Sequence, residues 1–191
     1  MSLNGAACIS GIYEHPTRKA DGLSVLRLHA DVAKGALEDA GLSRDDVDGY
    51  FCAGDAPGLG TTTVAEYLGL KLSQVDSTEC GGSAPILHVA HAAAAIKAGH
   101  CNVALITLAG RPRAQMMEAQ AAAKAKELAS GKAIPPRLAL KAPDPDAPEL
   151  AFELPYGPAT QNLYAMVAQR HMYEFGTTSE QLAWIKVSAS H

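Results

Sequence analysis

An α/β layered domain with a largely parallel sheet is what this sequence predicts, on three observations. Short apolar stretches alternate along the chain with longer helical ones. Two of the helical stretches close on a glycine, Gly41 and Gly99, where a left-handed cap belongs. The segment Cys101 to Ala109 is apolar without alternation, the mark of a strand covered on both faces.

Taken in order, Ala7 to Tyr13 reads as a first strand, followed by the turn-like EHPTRKADG. A helix is predicted from about Ser24 to Ala40. Leu26, Ala30, Ala33, Leu37 and Ala40 share one face, and Arg27, Asp31, Lys34 and Glu38 lie opposite. Ser43 and Asp46 resemble a short capped turn before a second strand, Val47 to Cys52. Gly54, Pro57, Gly58 and Gly60 mark a loop, and Thr61 to Leu68 a second helix. SQVDST contains a short strand, and CGGS leads into a helix from about Ala84 to Ala98, then into the strand at 101–109. Beyond it come a helix from Ala114 to Leu128, the Pro- and charge-rich SGKAIPPRLALKAPDPDAPE, a helix from Ala159 to Phe175, and another opened by Thr177, Thr178 and Ser179. The domain reading is a core at 1–110, an excursion at 111–176, and a returning helix at 177–191. Because the helical pattern is still running at His191, the sequence reads as the front part of a longer protein.

Composition narrows the function. The 191 residues are 48% hydrophobic and 19% charged, with 36 Ala, a profile for Ala-rich helices around a core rather than for disorder. A net charge of −4 lacks the electrostatic footprint of a nucleic-acid binder. The longest nearly apolar stretch, Ala84 to Ile96, is short and carries His88 and His91, so no membrane span is expected. Four cysteines without a C-x-x-C motif predict a reduced, cytoplasmic protein.

The order of blocks resembles a family. The first strand, the phrase EDAGLSRDDVDGYFCAG, the run STECGGSAPILHVAHAAAAIKAGHCNVALITLAG and the tail AQRHMYEFGTTSEQLAWIKVSASH together look like the N-terminal half of a thiolase-like enzyme, nearest the sterol carrier protein x-type branch. The resemblance implies half of an αβαβα sandwich with a loop-domain excursion, a homodimer, coenzyme A as substrate and no permanently bound cofactor. It also implies that the acid–base His and second Cys come from the other half.

Cys80 is the candidate nucleophile. A thiolate at the head of a long helix takes an acyl group from a 3-ketoacyl-CoA, and the helix N–H groups and dipole favour the thiolate and an oxyanion. Gly81 and Gly82 would let substrate approach the backbone, and Ser83 is the candidate N-cap. Counted back from Ile96 and Gly99, however, the thiolase nucleophile position falls near Gly82, and CGGSAP replaces the usual Cys-x-x-Gly. A buried structural Cys at a strand-to-helix corner is the competing reading. Arg111 and Arg113 are candidates for CoA phosphates, or for a solvated turn. His88 and His91, three apart, share a helix face but make no metal site. By resemblance, His171 is a candidate for the edge of a CoA channel, with an exposed helix His as the commoner reading. Three functions follow: a thiolase-type acyltransferase through a Cys thioester, a retro-aldol lyase on an acyl-CoA working with a small OB-fold and zinc-ribbon partner, and a non-catalytic thiolase-like subunit.

Overall fold

The computed structural model describes residues 2–17, 19–53, 56–130 and 160–190. Two compact units divide the chain, Met1–Ala139 and Leu140–His191. The first carries helix α1 (Val25–Ala40), a 3₁₀ turn (Arg44–Asp46), strand β1 (Gly49–Cys52), α2 (Thr61–Leu68), β2 (Gln74–Asp76), α3 (Ala84–Lys97), β3 (Ala104–Thr107) and α4 (Pro112–Ser130). The three strands form a parallel sheet in the order β2-β1-β3, with Gly49 opposite both Gln74 and Ala104.

Local chemistry explains the element ends. The Ser24 hydroxyl accepts the Arg27 N–H at 3.1 Å to open α1, and Gly41 at φ +68° closes it. The Asp46 carboxylate accepts both the N–H and the hydroxyl of Ser43 at 2.7 Å, which sets the 3₁₀ turn. Asp48 then ties the three strands together at their N-terminal ends. Its carbonyl accepts the N–H groups of Ser73 and Gln74, and its carboxylate accepts those of Asn102 and Val103 at 2.8 Å. Burial alone would raise the Asp48 carboxyl, but the bonds from Val103 and Asn102 outweigh it and hold it below the usual carboxylate range.

Alternation along β1 and β3 builds a core on each side of the sheet. Tyr50, Cys52 and Leu105 pack with Ala33, Val47, Val64 and Ala65, while Phe51 packs with Ala92, Ala95 and Cys101. Tyr50 and Phe51 are fully buried, each contributing roughly 1.5–3 kcal/mol of transfer free energy.

One predicted element does not form as such. Among the described residues Ala7–Tyr13 make no backbone–backbone hydrogen bond and join no ladder. The segment runs along the second half of α1 instead. A Cβ on Gly11 would overlap Ala36 O and Ala40 N, the Tyr13 ring covers Gly35, and the Ile12 N–H donates to Asp39 at 2.9 Å. A strand needs a partner edge, and no described strand lies beside this one. The predicted strands at 47–52 and 101–109 also shorten to four residues each, because only those residues pair.

In the second unit, α5 (Thr160–Phe175) and α6 (Ser179–Ala189) are joined by a capping box. The Thr178 hydroxyl accepts the Gln181 N–H at 3.3 Å and the Gln181 side chain accepts the Thr178 N–H at 2.8 Å. The Pro- and charge-rich excursion from Gly131 onward, and Ala159, lie outside the described residues.

Candidate functional site

The loop from Cys80 to Ser83 reaches α3 at Ala84. Cys80 is exposed, and its Sγ lies 3.6 Å from the Ser83 hydroxyl. Gly81 adopts φ +73°, a left-handed turn that lets its N–H meet the Glu79 carboxylate at 2.7 Å. Ser83 holds the N-cap position, but its hydroxyl donates back to the Cys80 carbonyl at 3.2 Å and caps no N–H. The first turn of α3 has few donors left for an anion. The Ala84 N–H bonds Gly81 O at 3.0 Å, Pro85 has no N–H, and the Ile86 N–H bonds Ser83 O at 3.1 Å.

A second constellation sits at the C-terminal ends of β1 and β3. The Thr107 hydroxyl lies 2.8 Å from His29 Nδ1 and 2.7 Å from the Tyr50 hydroxyl, and Cys52 Sγ lies 3.9 Å from His29 Nε2. His29, Tyr50 and Cys52 are wholly buried. Burial pushes the His29 imidazole down and the Cys52 thiol up, so at neutral pH both are uncharged; it also pushes the Tyr50 phenol far up. A thiol so placed is inert, and the cluster joins α1 to two strands. Sequence analysis missed it. The available signal was His29 itself, which falls three residues after Leu26 on the apolar face of α1.

A third pair was also missed. Asp76, at the end of β2, accepts from His91 of α3 at 2.5 Å and from the Thr78 N–H at 2.8 Å and hydroxyl at 2.7 Å. Burial would raise the Asp76 carboxyl, yet the bonds from Thr78 and His91 together bring it below its ordinary range. His88 is buried against Phe51 with Nε2 unpartnered among the described residues. No three His, Cys, Asp or Glu among the described residues stand close enough to hold a metal.

The remaining candidates are dispersed. Arg111 donates to Ala20 O at 3.3 Å and pairs with Glu118, so it fastens the start of α4. Arg113, two residues on, is exposed. In the second unit His171 Nδ1 lies 2.8 Å from the Thr177 hydroxyl, and its ring meets that of Phe175 at a tilt of 44°.

No family model matches the chain. It is similar to the 17-hydroxy-3-oxo-4-pregnene-20-carboxyl-CoA lyase of Mycobacterium tuberculosis, at 32% identity over 97% of this chain and 45% of that protein. A second relative, the acetyl-CoA acetyltransferase of Methanothermobacter thermautotrophicus, is 26% identical over 80% of this chain and 36% of its own length. The solved structure of the Ltp2-ChsH2(DUF35) aldolase superposes with a TM-score of 0.68 and 28% identity, covering 90% of this chain and 39% of that one. The chain belongs to the thiolase-like superfamily. Within it, this thiolase-like chain spans less than half the length of the curated relatives it matches. The similarity to lyases over nearly the whole chain favours the retro-aldol alternative over the acyltransferase reading. No helix among the described residues is long and apolar enough to cross a membrane.

Proposed function

We propose that this chain forms half of a lyase that cleaves the Cα–Cβ bond of a CoA thioester by retro-aldol chemistry, with a steroid side chain as the substrate class. The observation supporting this over thioester catalysis is the head of α3. There the Cys80 thiol lies four residues before the helix, and the first-turn N–H groups that would hold an oxyanion are spent or absent. A retro-aldol lyase needs no thiolate, and the donors that hold its enolate need not come from this helix. A base takes the proton of a hydroxyl on Cβ, and the O–H electrons form the carbonyl of a departing ketone. The Cα–Cβ electrons pass to the thioester as an enolate, which is protonated at Cα to give a shorter acyl-CoA. The reaction involves no net oxidation and no covalent bond to the protein.

In this reading the described residues supply scaffold, with Arg113 free to meet a CoA phosphate. The base and enolate site come from the remaining half and from a small OB-fold, zinc-ribbon partner, and the halves assemble as a homodimer. The test uses the whole protein, both halves with its partner, and a 3-hydroxyacyl-CoA whose hydroxyl is tertiary, followed by mass spectrometry. Release of a ketone and a shorter acyl-CoA, undiminished in Cys80→Ser, is expected. An acyl adduct on Cys80 from acetoacetyl-CoA, with thiolysis lost in Cys80→Ser, would overturn the proposal.

A further inference from the structure

The loop from Ser77 to Ser83 joins β2 to α3 and is exposed from Glu79 to Ser83. Ligands of an open parallel sheet lie beyond the carboxyl ends of its strands, and this loop leaves the carboxyl end of β2. A Cβ on Gly81 or Gly82 would stand in open space, with no atom within 4 Å, so a ligand can come against the backbone there. The loop backbone is nevertheless tied at three points. The Asp76 carboxylate accepts the Thr78 N–H and hydroxyl, Glu79 accepts the Gly81 N–H at 2.7 Å, and the Ser83 hydroxyl returns to the Cys80 carbonyl.

The tie at Asp76 reaches beyond the loop. One carboxylate oxygen accepts both Thr78 donors, at 2.8 and 2.7 Å, and the other accepts from His91 Nδ1 at 2.5 Å. A carboxylate offers no proton, so His91 Nδ1 must carry one, and that orients the ring. His91 lies seven residues beyond Ala84, about two turns along α3. The His91 and Asp76 side chains are 37% and 21% exposed, so their bond is partly shielded from water. Asp76 is therefore a fork, with one prong on the loop and the other on the helix that the loop enters.

We propose that His91 is a positioning residue for the acyl-CoA: through Asp76 it holds Thr78 to Ser83 where the loop backbone meets the thioester end of the substrate. The ligand in this inference rests on the lyase reading above, while the clamp rests on the described geometry alone. His91 touches no reacting atom. It acts on orientation rather than on affinity, because the thioester is a small part of a CoA ligand.

The test uses the whole protein with its partner, the tertiary 3-hydroxyacyl-CoA and hydrogen exchange. His91→Leu removes the donor, whereas His91→Asn returns an N–H close to where Nδ1 stands. In His91→Leu, kcat should fall at least about ten-fold with KM within about two-fold, and exchange at 78–83 should quicken at least about ten-fold. His91→Asn should recover both to within about three-fold of the unaltered protein. Unchanged kcat or unchanged exchange in His91→Leu would overturn the proposal. So would a His91→Asn no better than His91→Leu, since the role would then belong to Nε2 or to the ring. Should the unaltered protein cleave no carbon–carbon bond, the lyase reading fails, and the exchange comparison by itself upholds or overturns the clamp. Should His91→Leu not fold, the unaltered protein decides. Its Thr78 N–H, accepted at 2.8 Å, should exchange at least about ten-fold more slowly than in the unfolded chain, and exchange at the unfolded rate overturns the clamp.

Discussion

Thr107→Val tests whether the buried cluster at the strand ends holds the first unit together. The substitution barely changes volume at a site only 5% exposed, so its effect is the loss of one hydroxyl. That hydroxyl serves two partners, His29 Nδ1 at 2.8 Å and the Tyr50 hydroxyl at 2.7 Å, both on fully buried side chains. Leaving a buried polar group unpaired costs roughly 1–3 kcal/mol. Two such groups, less about 1 kcal/mol for the more apolar methyl, give a net loss of about 1–5 kcal/mol. For a chain of this size that corresponds to a fall in melting temperature of roughly 2–20 °C. Tyr50→Phe leaves Thr107 paired with His29 and should cost only about 1 kcal/mol. The double variant should be less destabilised than the sum, because without Thr107 the Tyr50 hydroxyl is a burden. Urea titration of the four proteins provides the cycle. A Thr107→Val loss below about 0.5 kcal/mol, or strict additivity, would refute the reasoning.

Other expectations follow from the same geometry. Burial depresses the His29 imidazole below its ordinary value, so the unfolded chain takes up a proton near pH 6.5 that the folded chain refuses. Stability should therefore be full above about pH 6.5 and decline as pH falls towards the lower folded value, and His29→Leu should remove one proton's worth of that slope in urea titrations across pH. Asp48→Asn turns a carboxylate bound by Asn102 and Val103 N–H groups into a weaker acceptor, a cost of about 1–2 kcal/mol at pH 7. Because the Asp48 carboxyl is held low, the difference between wild type and variant should be complete above about pH 4 and shrink as pH falls through the folded value. Gly11→Ala drives a methyl into the α1 backbone at Ala36 and Ala40, so the 7–13 segment should lift off α1, with a loss of about 1–3 kcal/mol and quicker proteolysis there. Unchanged cleavage would show the segment is not seated as described.

The helices were the most legible part of this chain because each carries its own boundaries. Ser24 and Gly41 bracket α1 within the reach of local hydrogen bonds, and Thr61 to Leu68 forms as read. Strands were less legible, since pairing is a property of two segments. Residues 7–13 have the composition of a strand, but whether they form one is decided by a neighbouring edge that their own residues do not encode. The same separation hid the buried cluster. His29 was visible as a polar residue on an apolar helix face, but its partner Thr107 stands 78 positions away inside an apolar run, where no periodicity connects the two. Asp76 and His91 were each visible and 15 apart, and only the packing of α3 against the end of β2 brings them to 2.5 Å.

The head of α3 is the place where sequence and geometry bear on function together. Pro85 in CGGSAP already meant one missing donor in the first turn, a fact of composition alone. The structure adds that Ala84 and Ile86 spend theirs on Gly81 and Ser83 carbonyls, and that the Ser83 hydroxyl turns to Cys80 rather than to the helix. A thiolate stabilised by a helix end needs those donors free and pointing at one place. Restoring them is a local change: Pro85→Ala returns an N–H to the first turn without enlarging the side chain. If donor scarcity is what separates this site from thioester chemistry, Pro85→Ala in the whole protein should raise acylation of Cys80 by acetoacetyl-CoA, read by intact mass, while leaving carbon–carbon cleavage unchanged. No gain in acylation would place the barrier in the position of Cys80, four residues ahead of the helix, rather than in the donors.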